Sequence, residues 1–256
     1  MSHLTELIDS TRRRVAQARA DTPEDLLEER LERAELPRGF ARALDRSHVA
    51  LIAEIKRATP FKGVLHADLD AGDIAQRYAT GGAAAISVLT EPTLFKGSIA
   101  DLEAARAAGL PTLRKDFILD PYQVLESRAA GADAVLLIVR ILDDNVADLI
   151  KTTEALGMDA LVEVHDEPEL RRAVDAGASL IGVNHRNLET GDVDPQRTAK
   201  LSSFVPSDAL LVGLSGVSTR ADVKRLEQAG ARAVLVGEAL VTAANLEDKL
   251  RELLGA

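Results

Sequence analysis

The chain has 256 residues, 46% of them hydrophobic, with a formal charge of -10 and no cysteine. Without cysteine there are no disulfides, no thiol nucleophile and no thiolate-bound metal, and an acidic chain with only 3% aromatic residues lacks the basic face and stacking platforms of a nucleic-acid binder. The opening stretch MSHLTELIDSTRRRV holds no secretory h-region, and no run approaches the roughly 20 apolar residues that span a bilayer. A soluble, cytoplasmic protein without nucleic-acid or membrane partners is therefore expected. Nothing in the sequence indicates an oligomeric state.

Residues 4–20 carry Leu4, Leu7, Ile8 and Val15 at helical spacing, and a second helix begins at Thr22-Pro23-Glu24 and runs through Leu26, Leu27 and Leu31 to about residue 34. The basic run Arg12 to Arg14 lies among helix formers and acids and reads as a solvated helix face. After Pro37 a short connector leads to Ser47. Residues 1–46 thus form a helical extension too short for a large core of its own, followed by the main domain over 47–256.

From there the rhythm changes. Apolar strand-like runs occur at 50–55, 84–89, 112–114, 134–139, 160–164, 180–183, 210–213 and 233–236, with helical segments such as 98–108, 121–130, 143–156, 167–176 and 219–229 between them. Gly82, Gly109, Gly131, Gly157, Gly177 and Gly230 precede strands at positions where a helix must end in a left-handed residue. Alternation of this kind predicts parallel strands buried on both faces. Eight such units favour a closed α/β barrel of the (β/α)8 or TIM type, and no Gly-x-Gly-x-x-Gly follows the first strand to suggest a dinucleotide fold.

Chemistry in such barrels sits at the C-terminal strand ends. Strand 1 offers Glu54 and Lys56, two residues apart and so on one face. Taken alone, that pair reads as a solvated strand face; its companions decide otherwise. Strand 3 offers Lys115 and Asp116, strand 5 Glu163 and His165, and strand 6 Asn184 and Arg186. Glycines in Ser215-Gly216 and Gly237-Glu238 stand after strands 7 and 8, where backbone N–H groups commonly hold a phosphate. Two lysines with carboxylates suit either a Schiff-base aldolase or an acid–base isomerase or synthase. His48, His66, His165 and His185 are scattered, and no set has metal-ligand spacing.

The segments IAEIKRATPFKGV (52–64), ISVLTEPTLFKGS (86–98), LRKDFILDPYQVLESRAAGADAVLLIV (113–139), LVEVHDEPEL (161–170), IGVNHRNLET (181–190) and VLVGEAL (234–240) resemble the indole-3-glycerol phosphate synthase family. The resemblance implies a tryptophan-pathway barrel that closes an indole ring on 1-(2-carboxyphenylamino)-1-deoxyribulose 5-phosphate, a phosphosugar, with loss of carbon dioxide and water and with no metal or organic cofactor. It implies Lys115 as general acid at the ribulose carbonyl, Glu163 as a proton carrier in dehydration, and Lys56 beside the substrate carboxylate or sharing acid duty. Glu54 would hold the lysines, Asn184 and Arg186 would orient the anthranilate portion, and Thr59 keeps the hydroxyl of the family's usual serine. Ser215, Gly216, Gly237 and Glu238 would line the phosphate site.

One position departs from the family pattern. Where relatives usually read Ala-Glu-Ser-Gly, this chain reads Gly213-Leu214-Ser215-Gly216, so a carboxylate has become an isobutyl group. Retained synthase chemistry, a paralogue acting on a modified anthranilate-derived phosphosugar, and a noncatalytic phosphosugar-binding subunit stay open at this stage.

Overall fold

The computed structural model describes residues 3–187 and 189–255. Leu188, within the IGVNHRNLET segment, lies outside them, and so does the side chain of Leu4. Eight strands close into a barrel: β1 (Ala50–Ile55), β2 (Ala85–Leu89), β3 (Thr112–Lys115), β4 (Ala134–Ile138), β5 (Asp159–Val164), β6 (Leu180–Asn184), β7 (Leu210–Leu214) and β8 (Ala233–Val236). Each strand runs parallel to its neighbours, and β1 closes the ring by pairing with both β2 and β8. Expected and observed strand ends differ by at most one residue. The reason is that near-continuous apolar runs leave little choice of register when both faces are buried.

The six glycines expected to end helices all adopt positive φ, between 76° at Gly157 and 91° at Gly230. Side-chain caps set the opposite ends: Asp70, Ser98, Asp120, Asp166, Thr219 and Asn245 each accept a hydrogen bond from a backbone N–H of the following turn. Such a cap stabilises a helix by about 1 kcal/mol. Helix Ala71–Thr80, not singled out in the sequence, supplies the crossover from β1 to β2.

The N-terminal extension wraps the barrel from mouth to base. Helix α1 (His3–Asp21) places Arg14 on Asp116, just past β3, in a bidentate ion pair with N–O distances of 2.9 and 2.6 Å. One of the three arginines read as a solvated face therefore turns inward, because a buried carboxylate waits there. Helix α2 (Glu24–Leu31) is three residues shorter than expected. Val15 and Leu27 pack with Tyr122 in a small second core, and the Tyr122 hydroxyl lies 2.8 Å from the carbonyls of Ala18 and Thr22. The connector then passes beneath the barrel. Arg38 N–H donates to Asp133 and Ala41 N–H to Asp159, at the entries to β4 and β5. Here the sequence reading missed a short helix, α3 (Phe40–Leu44), whose Phe40 and Leu44 are fully buried in the main core.

Candidate active site

A cavity of about 910 Å3 opens at the C-terminal strand ends. Every site residue expected from the sequence lines it except Glu163, which lies deeper. All six residues of β1 are buried, and Glu54 is 3% exposed, which removes the solvated-strand reading. Its carboxylate bridges two cations: Lys56 Nζ stands 2.8 Å from Oε1 and Lys115 Nζ 3.9 Å from Oε2. Burial alone would raise the Glu54 carboxyl, but Lys56, with help from Lys115 and Arg186, holds it below the ordinary carboxylate range. Glu54 is thus an anion that draws two ammonium groups to one carboxylate.

Gly237, just after β8, leaves room for this. A Cβ there would fall 2.2 Å from Glu54 Oε1 and 3.0 Å from Lys56 Nζ, so a side chain at this position would displace the pair that folds over it. On the next strands round, Asn184 links two parts of the site. Its Nδ2 donates to Glu163 Oε1 at 3.0 Å, and its Oδ1 accepts from Arg186 N–H at 3.0 Å. Arg186 donates to Gly191 O at 2.8 Å and lies 5.6 Å from the ring centroid of Phe61, on the loop after β1. That loop forms a two-residue antiparallel ladder, Ala58–Thr59 against Gly63–Val64, with Thr59 buried and Lys62 paired to Glu238 across the mouth.

Ser215 adopts φ 65° and Gly216 φ 71°, a left-handed pair that turns the chain sharply after β7. His185 fastens this turn. Its Nδ1 is 2.9 Å from Ser215 O and its Nε2 2.7 Å from Thr198 Oγ1. A carbonyl only accepts, so the proton sits on Nδ1. Burial pushes the imidazole down, against the pull of the Ser215 carbonyl, and it stays neutral. Leu214 is 1% exposed, pairs with Asn184 across the sheet, and fills space beside Gly182, where an added Cβ would meet Leu214 Cδ1 at 2.8 Å.

The indole-3-glycerol phosphate synthase family model matches residues 4–253. The chain belongs to this family. Among curated members, the indole-3-glycerol phosphate synthase of a Roseiflexus species is 49% identical, covering 98% of each chain. That of a Parafrankia species is 48% identical over 100% of this chain and 96% of its own, and that of Micrococcus luteus 48% over 98% and 96%. Among solved structures, 3-hexulose-6-phosphate synthase from Salmonella typhimurium superposes with a TM-score of 0.65 at 16% identity, over 81% of this chain and 97% of that one. The last likeness concerns the barrel fold alone.

Within this synthase framework Glu163 stands apart from the lysines. Lys115 has Glu54 as its ion partner; Glu163 is not within ion-pair distance of it and faces Asn184 and His165 instead. Phe61, Phe117 and His185 were not foreseen as parts of the site. Phe61 and Lys62 sit inside the quoted AEIKRATPFKG stretch, but only the hairpin reveals that they fold back over the mouth. No signal marked His185, since its partners Ser215 and Thr198 are remote in sequence. Among the described residues no helix is long and apolar enough to cross a membrane, and no cluster of His, Cys, Asp and Glu could hold a metal ion.

Proposed function

We propose that this protein is an indole-3-glycerol phosphate synthase, a carbon–carbon lyase of tryptophan biosynthesis. Its substrate is the phosphosugar 1-(2-carboxyphenylamino)-1-deoxyribulose 5-phosphate, and its location is the cytoplasm. The observation that carries the reading is the Lys115–Glu54–Lys56 cluster in a cavity that also holds the Ser215-Gly216 and Gly237 turns, in a chain matched to the family over nearly its whole length.

The roles follow from charge and position. The Lys115 ammonium gives a proton to the ribulose carbonyl oxygen as the ring carbon bearing the carboxylate attacks the carbonyl carbon. Carbon dioxide then leaves, and its bonding pair restores the aromatic ring. Dehydration needs a second proton on the departing hydroxyl and loss of one from the substrate as the double bond forms. Lys56 assists with the first and Glu163 receives the second, so one proton is consumed overall. Glu54 holds both lysines at the mouth by ion pairing. Asn184 and Arg186 orient the aromatic portion, and Thr59 adds a hydroxyl to the same cavity. Ser215, Gly216, Gly237 and Glu238 take the phosphate through backbone N–H groups, the Glu238 carboxylate being occupied by Lys62. Residues 1–46 act as an extension clamped to the 47–256 catalytic barrel by Arg14 and Tyr122.

The test is indole fluorescence growing from the carboxyphenylamino substrate. Lys115→Ala is expected to abolish it. Product formed by that variant at an undiminished rate refutes Lys115 as the acid, and none formed by the parent chain refutes the synthase reading.

A further inference from the structure

His185 is 1% exposed and does not line the cavity, yet it grips the Ser215-Gly216 turn that does. The grip is double. Its backbone N–H donates to Leu214 O at 3.0 Å, extending the β6–β7 pairing past Asn184, and its Nδ1–H donates to Ser215 O at 2.9 Å. Thr198, fully buried in the helix Arg197–Leu201, donates its hydroxyl to Nε2 at 2.7 Å and so holds the ring in the tautomer that makes Nδ1 the donor. Burial, opposed by the Ser215 carbonyl and Asp194 and reinforced by Arg197 and Arg225, lowers the imidazole pKa. The ring is therefore a neutral hydrogen-bonding strut that brings no charge of its own.

The strut acts at a costly place. Ser215 has φ 65°, a left-handed conformation that a side chain disfavours, and the surroundings must hold it there. The peptide bond from Ser215 to Gly216 is trans, so its carbonyl and its N–H point in opposite directions. Fixing Ser215 O on His185, behind the turn, aims the Gly216 N–H the other way, toward the side on which Ser215 and Gly216 line the cavity. The segment after β6 also closes the back of the turn: Val193, bridged to Arg186, stands where a Cβ on Gly216 would meet its Cγ1 at 2.6 Å. With support behind and an N–H in front, a backbone amide takes an anion without first reorganising.

We infer that His185 is a positioning residue for phosphate recognition: by holding Ser215 O, with Thr198 fixing its tautomer, it presents the Gly216 N–H to the substrate phosphate. This rests on the phosphate role given to the turn above. The pair His185→Leu and His185→Asn tests it, since the two side chains are close in shape and only the asparagine amide can donate where Nδ1 does. Inorganic phosphate titrated calorimetrically into the intact protein should bind about tenfold more weakly to His185→Leu, the cost of a misdirected hydrogen bond to a charged group. His185→Asn should recover most of that loss. Anthranilate, which has the aromatic carboxylate but no phosphate, should bind all three chains alike.

Equal phosphate binding by the parent and His185→Leu overturns the proposal and leaves the phosphate turn standing; no binding to the parent overturns both. Loss of phosphate and anthranilate together, or equal weakness in His185→Asn, would mark His185 as a packing residue only and refute the proposal. Should His185→Leu not fold, Thr198→Val, which keeps the side-chain shape, should weaken phosphate by about threefold through loss of the tautomer lock, and parent-like binding there overturns the proposal. In turnover, His185→Leu should raise KM by about tenfold and by more than it lowers kcat. A fall confined to kcat refutes a role in holding phosphate.

Discussion

Gly237 stands where any side chain would collide with Glu54. The missing Cβ leaves room for the Glu54 carboxylate and the Lys56 ammonium to meet over the end of β8, and φ at Gly237 is -120°, so clearance and not backbone freedom is what glycine provides. Gly237→Ala should therefore displace the Glu54–Lys56 pair and lower kcat by about 100-fold or more, the scale of a lost acid–base group. Far-ultraviolet circular dichroism should stay that of the parent. A variant with kcat within about twofold of the parent would show that the pair does not need its present geometry.

Leu214, where the family resemblance implies a carboxylate, lines the cavity together with Lys56, Lys115 and Arg186. Leu214→Glu is expected to raise kcat, since a carboxylate at this position would share the cavity with Lys56 and Lys115 and can take part in the proton transfers. Assaying both chains side by side decides the matter. Equal rates would mean that no carboxylate is missing at this position.

Phe61 connects the loop after β1 to Arg186 through its ring face. A half-exposed contact of this kind is worth about 0.5–1 kcal/mol. Phe61→Ala should raise KM by about two- to fivefold, the same energy expressed as a ratio, with kcat little changed. A change confined to kcat would place Phe61 in the chemical step instead.

Asp116 ties the extension to the strand that carries Lys115. Burial opposes its ionisation, but Arg114 and Arg14, with a hydrogen bond from Thr90, hold its carboxyl at about 2, against an ordinary value of 3.8. A carboxyl lowered on folding stabilises the protein above its unfolded pKa and loses that contribution as pH falls toward its folded one. Between about pH 4 and about pH 2 the parent should lose about 2 kcal/mol from this group. Asp116→Asn should remove that part of the pH dependence, at a cost of about 3 kcal/mol at neutral pH from leaving Arg14 and Arg114 without their anion. Urea unfolding at a series of pH values measures both; an unchanged acid slope would contradict this assignment.

Strand positions, helix-ending glycines and the closed barrel could be read from the chain alone, because apolar runs, caps and turns are local and repeat with one period. So were most of the side chains at the mouth, since the C-terminal end of each strand is a position in sequence. Three-dimensional closure decided the rest. Glu54 took both lysines while Glu163 turned to His165, and Arg14 turned inward to Asp116. His185 came to hold Ser215, and Phe61 folded back to Arg186. Apart from Glu54–Lys56 and Glu163–His165, which stand two residues apart, each of these pairs joins residues from different elements. Which charge meets which depends on the distances and burial that the closed barrel imposes, and those have no trace in residue spacing.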